Sequence, residues 1–333
     1  MTNENAILQK LAEKYGLPQL QKKSSTGYKP IFFFYGGKGV GKTTAALLTP
    51  GTIDCISYDG MSMDIKLQMV KLDPANEERI RVFDIGIIEL LQEDEITNAD
   101  AILDHGVRGY DYTKAIVSES TADWIVFDGV DYLINYAEMK MRKENNILPY
   151  EGFKNLNLWK HRNQLLRSIL TLASQKAGCG VILVGWEQID QYDEEGKTKS
   201  VKAPKWTDIL KTASSIVTHI SQYNVPSQQL HMHYGFIDSS KNEDLFLTAE
   251  RIDISNRKPL ITLEKYNYLL QKNGRSPTSS IVVETNEIPK EDISIPEVKE
   301  EPKKEVVNTS SPAPKVKEPE PVENPVDNDG WGI

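Results

Sequence analysis

Short runs of apolar residues recur along the first two thirds of the chain. They lie at residues 31–35 (IFFFY), 53–58 (IDCISY), 79–85 (RIRVFDI), 124–128 (WIVFD) and 181–186 (VILVGW). Runs of this length with little alternation are typical of strands that are buried on both faces, as in a parallel sheet. The pattern therefore predicts at least five strands of one parallel sheet.

Helical spacing fills the gaps between these runs. Apolar residues three and four positions apart form one stripe from Leu158 to Ala173, a second from Trp206 to Ile220, and a short one within residues 5–15. Strands that alternate with amphipathic helices predict a doubly wound, mainly parallel α/β sheet. After Ile220, three alternating segments (QLHMHYGFI, EDLFLTAERI and KPLITLEKY) predict an antiparallel meander that closes one edge of the sheet.

The composition changes near residue 275. Residues 276–333 hold 13 of the 48 acidic residues, 6 of the 39 basic residues and 9 of the 17 prolines, without a period of 2 or 3.6. Such a segment buries too little apolar surface to offset its chain entropy. We therefore predict an N-terminal helical extension at 1–28, one folded domain at 29–275, and a disordered, acidic, Pro-rich tail at 276–333.

The tail ends in the sequence DNDGWGI, in which acidic residues precede Trp331 and a terminal Ile333. Acidic tails with hydrophobic tips recruit partners in single-stranded-DNA-binding proteins. The tip is either such a recruitment site, for a single-stranded-DNA-binding or replication protein, or a solvated end with an isolated Trp.

Charge and composition limit the class of protein. The net charge of −9 excludes a molecule that attracts nucleic acid with its whole surface, but it leaves room for a local basic patch. The two cysteines, Cys55 and Cys179, are too few for a disulfide scaffold or a four-cysteine zinc site. No signal-peptide pattern and no run of eighteen apolar residues occur. We expect a cytoplasmic protein that does not enter a membrane.

A glycine-rich segment directly follows the first apolar run. It matches the G-x-x-x-x-G-K-[ST] phosphate loop between a buried strand and a helix. Glycines allow backbone N–H groups to approach phosphate closely, and the lysine places an ammonium on the β- and γ-phosphates. We therefore expect ATP to contact Gly36, Gly37, Lys38, Gly39, Val40, Gly41, Lys42, Thr43 and Thr44.

A carboxylate at the end of a buried strand is the second part of such a site. Asp128 ends the run WIVFD, and with the Thr43 hydroxyl it is the predicted ligand pair for Mg²⁺. The alternative for Asp128 is a turn aspartate that caps the next helix, although Asp131 suits that role better.

Hydrolysis of ATP requires a group that orients or deprotonates the attacking water. Three polar residues follow buried strands: Asp59, Glu187 and Gln188. We predict Asp59 as the water-activating carboxylate and Gln188 as the γ-phosphate sensor, with Glu187 as the other choice for the sensor. Each is alternatively a solvated loop residue.

The order of these segments carries a family resemblance. YGGKGVGKTTAALLTPGTIDCISYDG is followed by WIVFDGVDYL, then by EGFKNLNLWKHRNQLLRSILTLA and GVILVGWEQ. Residues 29–255 thereby resemble the nucleotide-binding P-loop ATPases of phages and archaeal viruses, of the RecA-like type, which include recombination ATPases related to single-strand-annealing proteins. The resemblance implies a RecA-like core, ATP hydrolysis that depends on DNA, binding of single-stranded DNA, and assembly into a homo-oligomeric ring or filament.

Several basic residues become candidates through this resemblance. The loop after the VILVGW run carries Lys197, Lys199, Lys202 and Lys205, which suit contacts to DNA phosphates, although a solvated loop explains them equally well. A cation that completes the site of a neighbouring subunit could be Lys241, Arg251 or Arg257. The basic residues Lys140, Arg142, Lys143, Lys160 and Arg162 read better as exposed helix faces, and His231 and His233 as surface residues.

Other function classes remain open at this stage. A DNA motor of the packaging or helicase type would favour an additional DNA-binding domain, which the sequence does not show. A small-molecule kinase would need an arginine-rich lid. A nucleotide-dependent switch with little hydrolysis would be compatible with the short side chain of Asp59.

Overall fold

A computed structural model describes most of the region between residues 27 and 278. The described residues are 27–85, 98–152, 155–187, 191–192, 198–199, 207–225 and 230–278. They all fall in the first of two compact units of the chain, residues 1–281. The predicted helix at 5–15 and nearly all of the predicted tail at 276–333 lie outside them, so the three domain boundaries stay predictions.

The strands form one large sheet and one small one. They are β1 (Ile31–Gly36), β2 (Ile53–Ser57), β3 (Ile80–Asp84), β4 (Trp124–Asp128), β5 (Gly180–Trp186), β6 (Gln191–Tyr192), β7 (Thr198–Lys199), β8 (Ile216–Val225), β9 (Leu230–Ser240) and β10 (Arg251–Asp253). The large sheet has the order β10-β9-β8-β1-β5-β4-β2-β3, and β6 pairs with β7 separately. All pairs from β8 to β3 are parallel, whereas β8–β9 and β9–β10 are antiparallel.

Helices cover both faces of the large sheet. They are α1 (Lys42–Leu47), α2 (Ser62–Leu72), α3 (Asn76–Arg79), α4 (Ala99–Glu119), α5 (Val130–Glu144), α6 (Leu156–Lys176) and α7 (Leu263–Lys272), with a π-helical turn at Thr207–Lys211 and a 3₁₀ turn at Ser255–Arg257. None of the helices in the described ranges is long and apolar enough to cross a membrane.

Alternate residues of the central strands enter two separate cores. Phe32, Phe34 and Trp124 pack with α1, α2 and α7 on one face, whereas Phe33 and Phe127 pack with α4, α5 and α6 on the other. All five side chains are fully buried. The predicted doubly wound, mainly parallel α/β sheet with an antiparallel edge is therefore confirmed, and burial on both faces explains why its strands are apolar runs.

The predicted helix from Trp206 to Ile220 is wrong. Helical structure ends at Ala213, and Ile216 begins strand β8. Residues 216–220 are all buried between the two helical layers. Because no position in this segment faces solvent, the sequence shows neither a period of 2 nor one of 3.6, and the pattern cannot distinguish a strand from a helix.

The antiparallel edge also differs from the predicted meander. Its strands are β8, β9 and the three-residue β10, while the third predicted segment, KPLITLEKY, contains the start of helix α7. Thr262 caps this helix by accepting a hydrogen bond from the Lys265 backbone N–H. Thr followed by Glu264 in the first turn is a helix-start signal, which the alternation of apolar residues concealed.

An arginine closes the far end of the short helix α1. The Arg79 guanidinium donates to the carbonyl oxygens of Leu47 at 2.9 Å, Thr49 at 2.7 Å and Gly51 at 3.1 Å. These carbonyls lie where the helix stops before Pro50 and therefore lack helical partners. Arg79 thus fixes the end of the helix whose start forms the candidate site.

Candidate functional site

The glycine-rich loop, residues 36–44, connects β1 to α1. Gly36 has φ +156°, and a Cβ there would lie 2.2 Å from the carbonyl oxygen of Ile220 on β8. Gly41 has φ +92° and immediately precedes helix α1. A side chain at Gly36 would push β1 and β8 apart, and the backbone of Gly41 is one that other residues rarely adopt. The local sequence therefore permits this loop conformation.

Lys42 reaches back across the glycine-rich loop. Its Nζ donates to the carbonyl oxygens of Gly36 at 3.0 Å and Gly37 at 2.6 Å, and lies 4.9 Å from the centre of the Trp186 ring. Burial lowers the pKa of Lys42, while the nearby carboxylate of Asp128 opposes that shift. The ammonium is thus held inside the loop by backbone oxygens, in the place where the sequence predicts phosphate.

A buried carboxylate faces the loop from strand β4. The Thr43 hydroxyl donates to Asp128 Oδ1 at 3.0 Å, and the Ser62 hydroxyl donates to Asp128 Oδ2 at 2.6 Å. Burial raises the pKa of Asp128 to about 6, although both hydroxyls stabilise its charged form. The structure thus brings together Thr43 and Asp128, and it adds Ser62, which the sequence analysis missed.

The glycine-rich loop, Thr43 and Asp128 line a cleft of about 260 Å³ at the carboxyl end of the parallel strands. Its walls come from the glycine-rich loop, from Asp59, Met61 and Ile65, from Asp128, and from the end of β5 at Trp186. The Thr43 hydroxyl and the Asp128 carboxylate meet there, and oxygen donors of this kind suit Mg²⁺. The donor set and the glycine backbone fit a nucleoside triphosphate with Mg²⁺.

Asp59 lies at the rim of this cleft, one residue after the buried Tyr58. Its side chain is exposed, and its Oδ1 accepts the backbone N–H of Met61 at 3.1 Å. The turn that leads into α2 therefore holds the carboxylate, which remains accessible from the cleft.

Glu187 lies against the glycine-rich loop from the end of β5. Its backbone N–H donates to the Gly36 carbonyl at 3.3 Å, and its Oε2 lies 3.0 Å from Nε2 of His219 on β8. The His219 ring in turn packs on Tyr35, with centroids 4.9 Å apart. Gln188, the predicted sensor, lies outside the described residues, so of the two candidates only Glu187 has a known place.

Two further expectations change with the structure. Asp131 does not cap helix α5: Gly129 occupies the cap position, and Asp131 Oδ2 accepts the backbone N–H of Trp186 at 3.1 Å. His233 is not a surface residue but is half-buried, and its Nδ1 lies 3.0 Å from the Val40 carbonyl oxygen in the glycine-rich loop. Because a carbonyl only accepts, this nitrogen carries the proton.

The predicted basic residues are distributed over several environments. The expected exposed helix faces are wrong for Arg142 and Arg162, which are buried and both pair with Glu138, while Lys140 pairs with Asp111. Lys241 and Arg257 are exposed, and Arg251 stacks on Tyr234 of β9. Lys197, Lys202 and Lys205 lie outside the described residues, while Lys199 belongs to β7. The assignments of a DNA-binding loop and of a cation acting on a neighbouring subunit remain predictions.

Comparison with known proteins yields distant structural likenesses only. No family model and no curated protein matches the chain. A KaiC-like protein of Pyrococcus horikoshii is 15% identical, with 67% of this chain and 84% of that chain covered and a TM-score of 0.36. The flagellar accessory protein FlaH of Methanocaldococcus jannaschii is 12% identical, with 74% of this chain and 90% of that chain covered and a TM-score of 0.37. The RadB recombinase is 15% identical, with 70% of this chain and 90% of that chain covered and a TM-score of 0.38. At these values the likeness carries no conclusion about activity.

Proposed function

We propose that this chain is a RecA-like P-loop ATPase that acts with DNA in recombination or replication. The observation that carries the proposal is the hydrogen bond from Thr43 to Asp128. It joins the end of the glycine-rich loop to a buried carboxylate on β4, although β5 separates β4 from β1. A phosphate loop and a magnesium-binding carboxylate held at this distance form a site for hydrolysis of a nucleoside triphosphate.

Different groups of the chain would bind the phosphates of ATP and the Mg²⁺ ion. The N–H groups of the glycine-rich loop contact the phosphates, and the Lys42 ammonium exchanges its bonds to Gly36 and Gly37 for β- and γ-phosphate oxygens. Thr43 and Asp128, supported by Ser62, would hold Mg²⁺. When bound, Mg²⁺ neutralises charge that develops on the phosphates.

Asp59 is the group that we assign to the attacking water. The water oxygen forms a bond to the γ-phosphorus, the bond from that phosphorus to the bridging oxygen breaks, and the water proton passes to the Asp59 carboxylate. The position of Asp59 at the cleft rim supports this role. The contact of Glu187 with the glycine-rich loop supports Glu187 as a γ-phosphate sensor, with His219 as its positioning residue, and Gln188 stays the other candidate.

The proposed partner is single-stranded DNA, and the proposed assembly is a ring or filament. The support is the family resemblance of residues 29–255 and the lysines of the loop that follows β5. This loop follows β5 in the sequence, and the carboxyl end of β5 lies at the cleft.

The test is ATP turnover by the purified chain, alone and with single- or double-stranded DNA, at low and physiological salt. We expect turnover that single-stranded DNA stimulates and that Lys42→Ala abolishes, because this variant removes the ammonium from the glycine-rich loop. Lys160→Ala, which removes an exposed lysine of α6, is the matched control and should behave as the wild type.

A nucleotide switch is the second candidate, and one observation favours it. The Asp59 carboxylate is short, exposed and already bonded to its own turn, which would slow proton transfer from water. Tight ATP binding without turnover under any DNA condition would establish the switch and refute the ATPase. ATP turnover that neither single- nor double-stranded DNA changes would refute only the proposed action on DNA, and the ATPase would stand.

A further inference from the structure

An exposed group of aromatic side chains lies on the antiparallel edge of the sheet, outside the cleft. We call Tyr223, Tyr234, Phe236 and Arg251 the aromatic patch. The strand register places them on one face: Ser221, two residues before Tyr223, pairs with Tyr234, and Phe236 pairs with Arg251. Tyr223 is 51% exposed and Phe236 is 40% exposed, while the core residues of the same strands are buried.

The aromatic patch is an ordered surface. The rings of Tyr223 and Tyr234 are 5.7 Å apart at an interplanar angle of 71°. The Arg251 guanidinium lies 3.7 Å from the centre of the Tyr234 ring and 5.6 Å from that of Tyr223. Because Tyr223, Tyr234 and Arg251 contact one another, their side chains have less freedom to lose when a ligand stacks on them.

We propose that the aromatic patch binds single-stranded DNA by stacking of its bases. The proposal deepens the function proposed above and rests on it, since it names the surface on which DNA lies. Exposed aromatic rings on a sheet, together with an arginine, form the kind of platform on which unpaired bases stack without sequence preference. Its residues are different from those of the loop after β5, which we propose contacts phosphates.

Charge at the aromatic patch is compatible with a nucleic acid. Two carboxylates share its face, Asp238 and Asp253. Asp238 accepts a hydrogen bond from the Tyr35 hydroxyl, and Asp253 forms an ion pair with Lys258 at 2.8 Å. Arg251 is exposed and adds a positive charge beside the rings. A DNA phosphate at this surface would therefore lie near the Arg251 guanidinium, while both carboxylates already have partners that offset their charge or bond to them.

The aromatic patch also lies next to residues that touch the glycine-rich loop. Phe236 pairs with His219, the partner of Glu187. On the opposite face of β9, His233 bonds the Val40 carbonyl, and Tyr234 is the next residue along the strand. DNA on the aromatic patch would thus occupy the same strands that hold the candidate ATP site.

The test replaces two exposed rings by apolar side chains that cannot stack. The double variant Tyr223→Leu/Phe236→Leu and the matched control Tyr112→Leu, which removes an exposed ring of α4, are compared with the wild type. Affinity for a fluorescent oligothymidine is measured by anisotropy with a non-hydrolysable ATP analogue over a range of salt. We expect the double variant to bind at least tenfold more weakly, with an unchanged salt slope because no charge is lost.

The outcomes separate this proposal from the function on which it rests. Failure of the wild type to bind the oligonucleotide would refute the role with DNA and this surface together. Binding by the wild type with equal affinity of the double variant would refute the aromatic patch only. If the double variant instead changes the oligomeric state by light scattering and keeps its DNA affinity, the aromatic patch is a contact between copies of the chain. Circular dichroism and thermal unfolding of the double variant, compared with the wild type, show whether the variant is folded.

Discussion

At the scale of single residues, Asp128 combines the position proposed for a magnesium ligand with a cost to stability. Burial raises its pKa to about 6 from an ordinary value of 3.8, so the folded chain holds the proton more tightly than the unfolded chain. The contribution of Asp128 to the free energy of unfolding therefore falls as the pH rises from about 4 to about 6, and it stays lower at higher pH.

Asp128→Asn should remove this loss. An amide keeps hydrogen bonds to Thr43 and Ser62 and carries no charge to desolvate, so we expect the variant to be up to about 3 kcal/mol more stable than the wild type at pH 7.5 and little different at pH 4. Urea unfolding at both pH values, in buffer with a chelator, measures the difference. A stability difference that is the same at both pH values would contradict the assignment.

The choice of the water-activating residue is also a question at this scale. Asp59→Asn should lower kcat by about 10²–10⁴ with little change in KM, because the substitution removes a proton acceptor and keeps the shape of the side chain. Asp64→Asn, an exposed change on the neighbouring helix α2, is the control. Should Glu187→Gln show the large loss of kcat and Asp59→Asn none, Glu187 would take over the role.

At the scale of elements, the contact between β1 and β8 depends on one glycine. Gly36→Ala would place a Cβ 2.2 Å from the Ile220 carbonyl, whereas Gly39→Ala meets no atom within 4 Å and suffers only from its φ of +76°. We expect the free energy of unfolding to fall by more than about 3 kcal/mol in Gly36→Ala and by about 1–2 kcal/mol in Gly39→Ala. Equal losses in urea unfolding would mean that the strands separate easily at this point.

The elements also show what the sequence could and could not predict. Buried parallel strands and the glycine-rich loop have strong local signals, so the central sheet and the residues from Gly36 to Thr44 could be found from the sequence. The strand that carries His219 was predicted as a helix, because its residues 216–220 are buried whichever period they follow. Its contact with Glu187 was therefore invisible.

Ser62 and Arg79 were missed for a related reason. A serine early in a helix and an arginine before a strand are common in any protein, and their partners Asp128 and Leu47 lie 66 and 32 residues away. Only the packing of β2, β3 and β4 brings them together. Residues whose role depends on a distant partner leave no pattern in the sequence.

At the scale of the whole molecule, negative charge is concentrated at the C-terminal end of the chain. Residues 276–333 contain 13 acidic and 6 basic residues, which leaves 35 acidic and 33 basic residues in the rest. The part with the glycine-rich loop and the aromatic patch is therefore almost neutral, and a polyanion approaching it meets less repulsion than the net charge of −9 suggests.

Strand β9 has a thermodynamic consequence. His233 faces the glycine-rich loop and Tyr234 faces the opposite side. A ligand on one face that displaces this strand therefore also moves the residues on the other face. Binding equilibria that share such an element are linked, and linkage is reciprocal. If bound ATP raises the affinity of the chain for DNA by some factor, bound DNA must raise its affinity for ATP by the same factor. In the function proposed above, ATP and DNA would then act as effectors of each other through a single strand.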